Sequence, residues 1–391
     1  MYECRKSKKT VVLRNEKGEA VKNQVVKVNL KKHEFLFGVG AFDSLPYANG
    51  YKSEITENRV NKLLKVYNYG TLPFYWGQFE RQEGQPNTQG LMNAAKFLKE
   101  NGVTPKGHPL CWHTVCADWL MKYDNNKILD MQLKRIDREV STFKGVIDMW
   151  DVINEVVIMP IFDKYDNAVT RICKDLGRVG LVKEVFAAAR QANPDATLLI
   201  NDFNLSTNYE ILIDGCLNAG VKIDAIGLQT HQHQGYRGIK FFEEVLKRFE
   251  VFGLPLHFTE NTLVSGELMP PNIVDLNDFQ VDKWPTTKEG EERQKNELEE
   301  IYRRVFDHPL CEAITGWDLS DGAWLHAPSG VLREDGSAKP SYEMLDNLIN
   351  REWHTEYETM TDENGNFELE GFRGEYEISY NGKVQNITLG K

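Results

Sequence analysis

The 391-residue chain is 41% hydrophobic and 27% charged, an ordinary globular composition with enough apolar side chains to bury a sizeable core. Its formal net charge of −11 argues against a nucleic-acid partner, because phosphate binding needs a clustered basic surface. No stretch is apolar and long enough to span a bilayer, so no membrane partner is expected.

The one basic run, Arg5 to Lys9, reads as a solvated tail. The start, Met1-Tyr2-Glu3-Cys4-Arg5-Lys6, lacks the apolar core of a signal peptide. As the sequence stands the expected location is cytoplasmic, and secreted if a leader has been removed. Cys4, Cys111, Cys116, Cys173, Cys216 and Cys311 form no CxxC pair and read as small core residues, which fits a reducing compartment. The composition leaves the oligomeric state open.

The first segment reads as β. Thr10–Leu13, a turn at Glu16–Glu19 and the alternating run Val25–Leu30 predict a hairpin. The last segment reads the same way, with Tyr376–Tyr380 and Val384–Leu389 joined by Asn381-Gly382, a pair suited to the positive φ of a tight hairpin turn. Residues 1–34 and 354–391 are therefore expected to pair as one small β-sandwich-like appendage, a structural cap tying the termini together, beside a main domain of residues 35–353.

In that main domain short apolar strands alternate with amphipathic helices. Strand cores are expected at Phe35–Val39, Val66–Thr71, Thr104–Cys111, Met149–Asn154, Thr197–Asn201, Ala225–Gln229, Leu256–Thr259 and Ala313–Trp317. Helices are expected at Gly90–Asn101, Lys127–Phe143, Leu181–Ala192, Lys240–Phe252 and Glu291–Phe306. Eight βα units predict an α/β fold, a (β/α)8 TIM barrel. An open doubly wound sheet is disfavoured because no Gly-rich dinucleotide loop follows the first strand. The stretch Val264–Lys288, with Pro270-Pro271 and Trp284-Pro285, is too long for a plain connection and is expected to wall the site.

Most strand ends finish on polar or aromatic groups, which are costly to bury unless they serve something. His108 ends the third, Asn154-Glu155 the fourth, Asn201-Asp202 the fifth, Gln229-Thr230-His231 the sixth, Glu260 the seventh and Trp317 the eighth. Barrel catalytic groups project from these ends, and two facing carboxylates are what glycosidic bond cleavage needs.

Five segments fit patterns of the type GHxLxWH, WDVxNE, xxINDxN, GxQxH and TE, in that order. They are Gly107–His113, Trp150–Glu155, Leu199–Asn204, Gly227–His231 and Thr259-Glu260, followed by Gly316-Trp317-Asp318, Asp321–Trp324 and Lys339–Tyr342. In this ordered set the chain resembles glycoside hydrolase family 10, whose best-known members are retaining endo-β-1,4-xylanases. The resemblance covers about Phe35 to Ile349. It implies a polysaccharide-degrading hydrolase acting on xylan-type β-1,4 chains or xylo-oligosaccharides, with Glu155 as general acid/base and Glu260 as nucleophile. It further implies that Asn154 bonds the sugar 2-hydroxyl, that His231 holds the nucleophile, that His108 and Gln229 line the cleavage point, and that Trp112, Trp317 and Trp324 border the sugars.

Two departures stand out. Where the family carries Glu-Asn-x-x-Lys-Trp, this chain has Thr71-Leu72-Pro73-Phe74-Tyr75-Trp76. The polar glycone-side ligands are gone, and an apolar wall of Phe74, Tyr75 and Trp76 is expected, which adds Tyr75 and Trp76 to the substrate-binding set. The family's Glu-x-Asp is Glu260-Asn261-Thr262 here, which changes the charge balance around Glu260 and predicts an altered pH profile. The alternatives are the same chemistry on a different or substituted β-glycoside, and a barrel that binds carbohydrate without cutting it. No metal or other cofactor is expected: His231 and His233 have no evident third ligand.

Overall fold

In the computed structural model, which describes residues 2–390, two N-terminal strands precede the barrel: β1 (Lys6–Val12) and β2 (Val25–His33). Eight further strands close on themselves: β3 (Leu36–Gly40), β4 (Tyr69–Pro73), β5 (Thr104–His108), β6 (Met149–Asn154), β7 (Thr197–Asp202), β8 (Ala225–Gln232), β9 (Leu256–Leu263) and β10 (Cys311–Gly316). Neighbours pair parallel in chain order, and β10 returns to β3 with Ala313 opposite Leu36. Helices pack outside, so these strands are buried on both faces and carry nearly continuous apolar runs. The (β/α)8 barrel expected from the alternation is present.

The helices start where the sequence supplies caps. Ser53, Asp124, Asn167 and Thr287 each accept a hydrogen bond from the amide three residues on. Such a cap contributes about 1 kcal/mol. The expected helix at 181–192 is the second half of Ala168–Ala192, which is broken at Gly177, where φ is 70°. Val66, expected in a strand, instead ends the helix Glu54–Val66. Its apolar side chain continues the buried stripe of Val60 and Leu63, and a short apolar run does not distinguish that stripe from a strand.

Two bulges break the alternation of side chains and matter for the site. Between β8 and β9 the register slips at Leu228/Gln229, which pair with Phe258 and Glu260 and skip Thr259. Between β6 and β7 it slips at Val152. A bulge lets residues of opposite parity face the same side. Thr259 and Glu260 can then reach one partner, and Asp151 and Asn154 can both point inward.

The chain closes with β11 (Glu356–Met360), β12 (Asn366–Phe372), β13 (Gly374–Tyr380) and β14 (Lys383–Leu389). The expected N-terminal hairpin is not formed. β1 pairs with β12, while β2 joins the sheet β11-β2-β13-β14. The turn after β1 is real, with Val21 bonded back to Leu13, but it delivers the chain into a second sheet. Partners more than 300 residues distant cannot be read from a local alternating pattern. The C-terminal hairpin forms as expected, with Asn381 and Gly382 at φ 48° and 72°.

The basic run is not a solvated tail. Lys6–Lys9 lie in β1, and Arg5 is buried with its guanidinium donating to the carbonyls of Phe306, His308 and Cys311 at 2.6 Å each. A buried arginine is tolerable because these oxygens take up its donors. Around it Tyr2, Phe35, Phe37, Phe306 and Trp353 pack ring to ring at the N-terminal ends of β3 and β10. The appended sheets thus cover the barrel floor, opposite the C-terminal ends of the strands. No helix of the described residues is long and apolar enough to cross a membrane.

Candidate active site

Glu155 follows the last residue of β6 and sits at φ 56°, a left-handed conformation that costs a non-glycine residue roughly 1–3 kcal/mol. Its Oε2 accepts from Trp112 Nε1 at 2.9 Å, and its Oε1 accepts from Asn154 at 3.2 Å and Gln229 at 3.4 Å. Burial, and then the nearby Glu260 charge, push the Glu155 carboxyl up to about 8. It therefore keeps its proton near neutrality.

Glu260 lies inside β9, not at its end, and is buried. Asn201 Nδ2 donates to its Oε1 at 2.8 Å, and His231 Nε2 faces its Oε2 at 3.1 Å. His108 Nε2 stands 3.9 Å from Oε1. The two glutamates thus occupy contrasting settings: one keeps its proton, the other is surrounded by donors.

Asn201 couples them. The same Nδ2 donates to Asn154 Oδ1 at 2.8 Å, and Thr259 Oγ1 donates to Asn201 Oδ1 at 2.6 Å. The threonine contact fixes which end of the amide faces the carboxylates. It exists because the β9 bulge turns Thr259 and Glu260 to one partner. Gly227 gives Asn201 its room, since a Cβ there would lie 2.4 Å from Asn201 Oδ1.

His108 is held from behind. Its Nδ1 lies 2.7 Å from Asp151 Oδ2, which also accepts from the fully buried Lys106 ammonium at 2.7 Å. Burial alone would raise Asp151; the charge of Lys106 and the bond to His108 outweigh it and hold the carboxylate below its usual range. On the other side, His231 Nδ1 lies 3.2 Å from Thr262 Oγ1, so a hydroxyl supports this ring.

Aromatic rings border the group. Trp317 is edge-on to His108 at 5.2 Å, and Trp324 leans on His231 at 4.7 Å. Tyr75 meets His108 and Trp112 at 5.8 and 5.6 Å. Burial and the charges of Glu260 and Glu155 drive its hydroxyl well above the usual range, which keeps it neutral near both carboxyl groups.

Sequence profile and relatives agree on what this rim belongs to. The profile described as Glycosyl hydrolase family 10 matches residues 42–347. The chain belongs to this family. It is 28% identical over 256 residues to endo-1,4-beta-xylanase A of Xylanibacter ruminicola, covering 59% of this chain and 67% of that protein. To endo-1,4-beta-xylanase 3 of Hypocrea jecorina it is 32% identical over 284 residues, covering 70% and 72%. A solved family 10 structure from Paenibacillus barcinonensis superposes with a TM-score of 0.66 at 21% identity, over 81% of this chain and 96% of that one. The chain spans less than half the length of several other curated relatives it matches. The resemblance carried by the ordered motifs is thus borne out, and this family 10 chain is a glycoside hydrolase.

Of the residues picked from the sequence, the structure gathers Glu155, Glu260, Asn154, Gln229, His108, His231, Trp112, Trp317, Trp324 and Tyr75 at one rim. Trp76 and Phe74 stand apart. Trp76 is buried, donates to Glu80 at 3.1 Å and packs on Trp119 and Arg135, while Phe74 lies in the core against Phe143 and Trp150. The expected three-residue apolar wall therefore reduces to Tyr75, because Trp76 opens a short helix that turns it inward. The loop 264–288 does border the site: Asn277 Oδ1 lies 3.4 Å from Trp324 Nε1, and Trp284 packs on His233. The sequence reading passed over Asn201, Thr259, Asp151 and Lys106 as site residues. Lys106, a lysine in the barrel strand β5 two residues before His108, was the available signal.

Proposed function

We propose that this family 10 chain is a retaining β-glycosidase acting on β-1,4-linked xylan-type polysaccharide or xylo-oligosaccharides. The observation that carries the reading is the asymmetry of the carboxylates, with Glu155 protonated to about 8 and Glu260 ringed by Asn201, His231 and His108. Glu155 protonates the leaving oxygen while Glu260 attacks the anomeric carbon, giving a covalent glycosyl-enzyme. Glu155, now ionised, takes a proton from water as that water displaces Glu260. Asn154, its carbonyl already engaged by Asn201 and Gln229, turns its amide toward Glu155 and is suited to bond the sugar 2-hydroxyl.

The xylan specificity rests on the relatives, which are named as xylanases. A second reading keeps the chemistry and changes the sugar, because Tyr75 stands where the family places a lysine. We further assign residues 35–353 to the catalytic barrel, with 1–34 and 354–391 as an accessory β subdomain.

Turnover of aryl β-xylobioside, aryl β-xyloside and aryl β-glucoside by wild type, Glu155→Gln and Glu260→Gln tests the reading. Hydrolysis that collapses in Glu260→Gln is expected, with the β-anomer released first in proton NMR. An α-anomer would overturn retention, and a folded wild type inert on all three would favour a binding barrel.

A further inference from the structure

The segment after β6, residues 156–167, and the long loop 264–288 after β9 flank the ends of β7 and β8. The long loop has a small core of its own, in which Val264, Met269, Trp284 and Ala327 are buried. It is seated just past the end of β8. There the Met269 amide donates to the His233 carbonyl at 2.9 Å, and Gln234 Nε2 donates to the carbonyls of Pro270 and Ile273 at 2.9 and 2.8 Å. Its tip reaches further: Lys164, from the segment after β6, meets Asp275 and Asp278 at 2.6 Å each.

This crossing is joined to both carboxyl groups. On the Glu260 side, Asn277 lies at Trp324, Trp324 leans on His231, and His231 faces Glu260. On the Glu155 side, Phe162 is edge-on to His113 at 4.5 Å, and the adjacent Trp112 donates to Glu155. A line of contacts thus arches past the ends of β7 and β8, with Lys164 as its joint. Tyr75 marks the glycone side just past β4, and β8 stands directly across the closed barrel from β4. The arch therefore lies where the leaving group emerges. A glycan cut within a long chain must extend beyond the broken bond on that side, and an arch across the exit obstructs it.

We propose that the crossing of Lys164 with Asp275 and Asp278 is a strap that limits the leaving group to a short reducing-end piece. The inference rests on the hydrolase reading for its orientation. Exposed ion pairs add little to stability, and each loop is packed independently of this one. Loss of Lys164 therefore opens the gap and leaves both walls standing.

Hydrolysis of xylohexaose labelled at its reducing end, with products sorted by mass, tests the strap. Wild type is expected to release mainly labelled xylose and xylobiose. Lys164→Ala, and separately Asp275→Asn combined with Asp278→Asn, should raise the share of labelled xylotriose and longer products about threefold or more. In both, kcat/KM for an aryl β-xylobioside should change by less than about twofold. Lys164→Arg, which keeps the ion pairs, should retain the wild-type pattern. A wild type releasing mainly labelled xylotriose or longer products would overturn the proposal. So would a pattern unchanged in both opened variants, or xylohexaose left intact by every variant of an enzyme active on the aryl xylobioside. Failure of the hydrolase reading shows separately, as a wild type that cleaves neither xylohexaose nor any aryl glycoside, and the strap then has no leaving group to limit.

Discussion

The side-chain amide of Asn201 lies 2.8 Å from Asn154 Oδ1, and the same nitrogen lies 2.8 Å from Glu260 Oε1. One donor thus sets the position of the candidate nucleophile and of the amide that touches Glu155. Asn201→Ala removes both contacts and leaves Thr259 without its acceptor. We expect kcat to fall about 100-fold with KM changed much less, because the positioning acts on the reacting groups. Gly227→Ala, which crowds Asn201 from outside, should reproduce the kinetic defect in a folded protein. Steady-state kinetics of both variants, with circular dichroism, check this.

Glu155 predicts a pH dependence of both rate and stability. Its carboxyl is held up to about 8 by burial and then by Glu260, against an ordinary 4.5. The folded chain binds this proton more tightly than the unfolded chain does. The associated stability is complete below about 4.5 and is lost as pH rises through about 8. Wild type should therefore weaken relative to Glu155→Gln across that window, by on the order of a few kcal/mol. Urea unfolding of both proteins at about pH 5 and about pH 9 reads the difference. A gap that does not change with pH would contradict the assignment. Activity should fall on an alkaline limb near the same value, reported by the Glu155–Glu260 pair as a unit.

The buried row Lys106–Asp151–His108 carries a stability prediction. Asp151→Ala would leave the Lys106 ammonium fully buried without its carboxylate and His108 without its support. Removing one member of a buried pair typically costs about 3–5 kcal/mol. We expect a loss of that size in denaturant unfolding, together with reduced turnover. A milder loss would mean that Lys106 finds another partner or water.

Tyr75 tests what the substituted glycone side does. Tyr75→Phe keeps the ring against His108 and Trp112 and removes only the hydroxyl beside the two carboxylates. We expect kcat/KM to drop about tenfold with stability changed by less than about 1 kcal/mol. Unaltered kinetics would show that the ring alone matters.

Arg5 tests how the terminal segment supports the barrel. Arg5→Met retains much of the packing on Phe35 and Phe306 but strands three carbonyls near the start of β10. A destabilisation of at least about 2 kcal/mol is expected, read as a lowered Tm, with kinetics on small substrates unchanged because the floor is remote from the rim.

By itself the sequence determined the barrel, since apolar strand runs alternating with amphipathic helices can bury their faces in few other ways. It also determined which strands carry chemistry, because Glu155, Asn154, Gln229, His231 and Glu260 are polar groups that follow buried apolar runs, although Glu260 proved to lie within β9. Its Asn381-Gly382 turn was legible because both residues act locally. What only the tertiary structure decided depends on parity and distance. The bulges that turn Thr259 toward Asn201 and Asp151 toward Lys106 shift register by one residue, and no local pattern marks them. The pairing of β1 with β12 and the burial of Arg5 join residues more than 300 positions apart. Trp76 turns inward because a short helix begins there, whereas Tyr75, one residue earlier, faces the carboxylates. Chemistry-bearing residue types are written along the chain, but which of them meet is set by long-range packing.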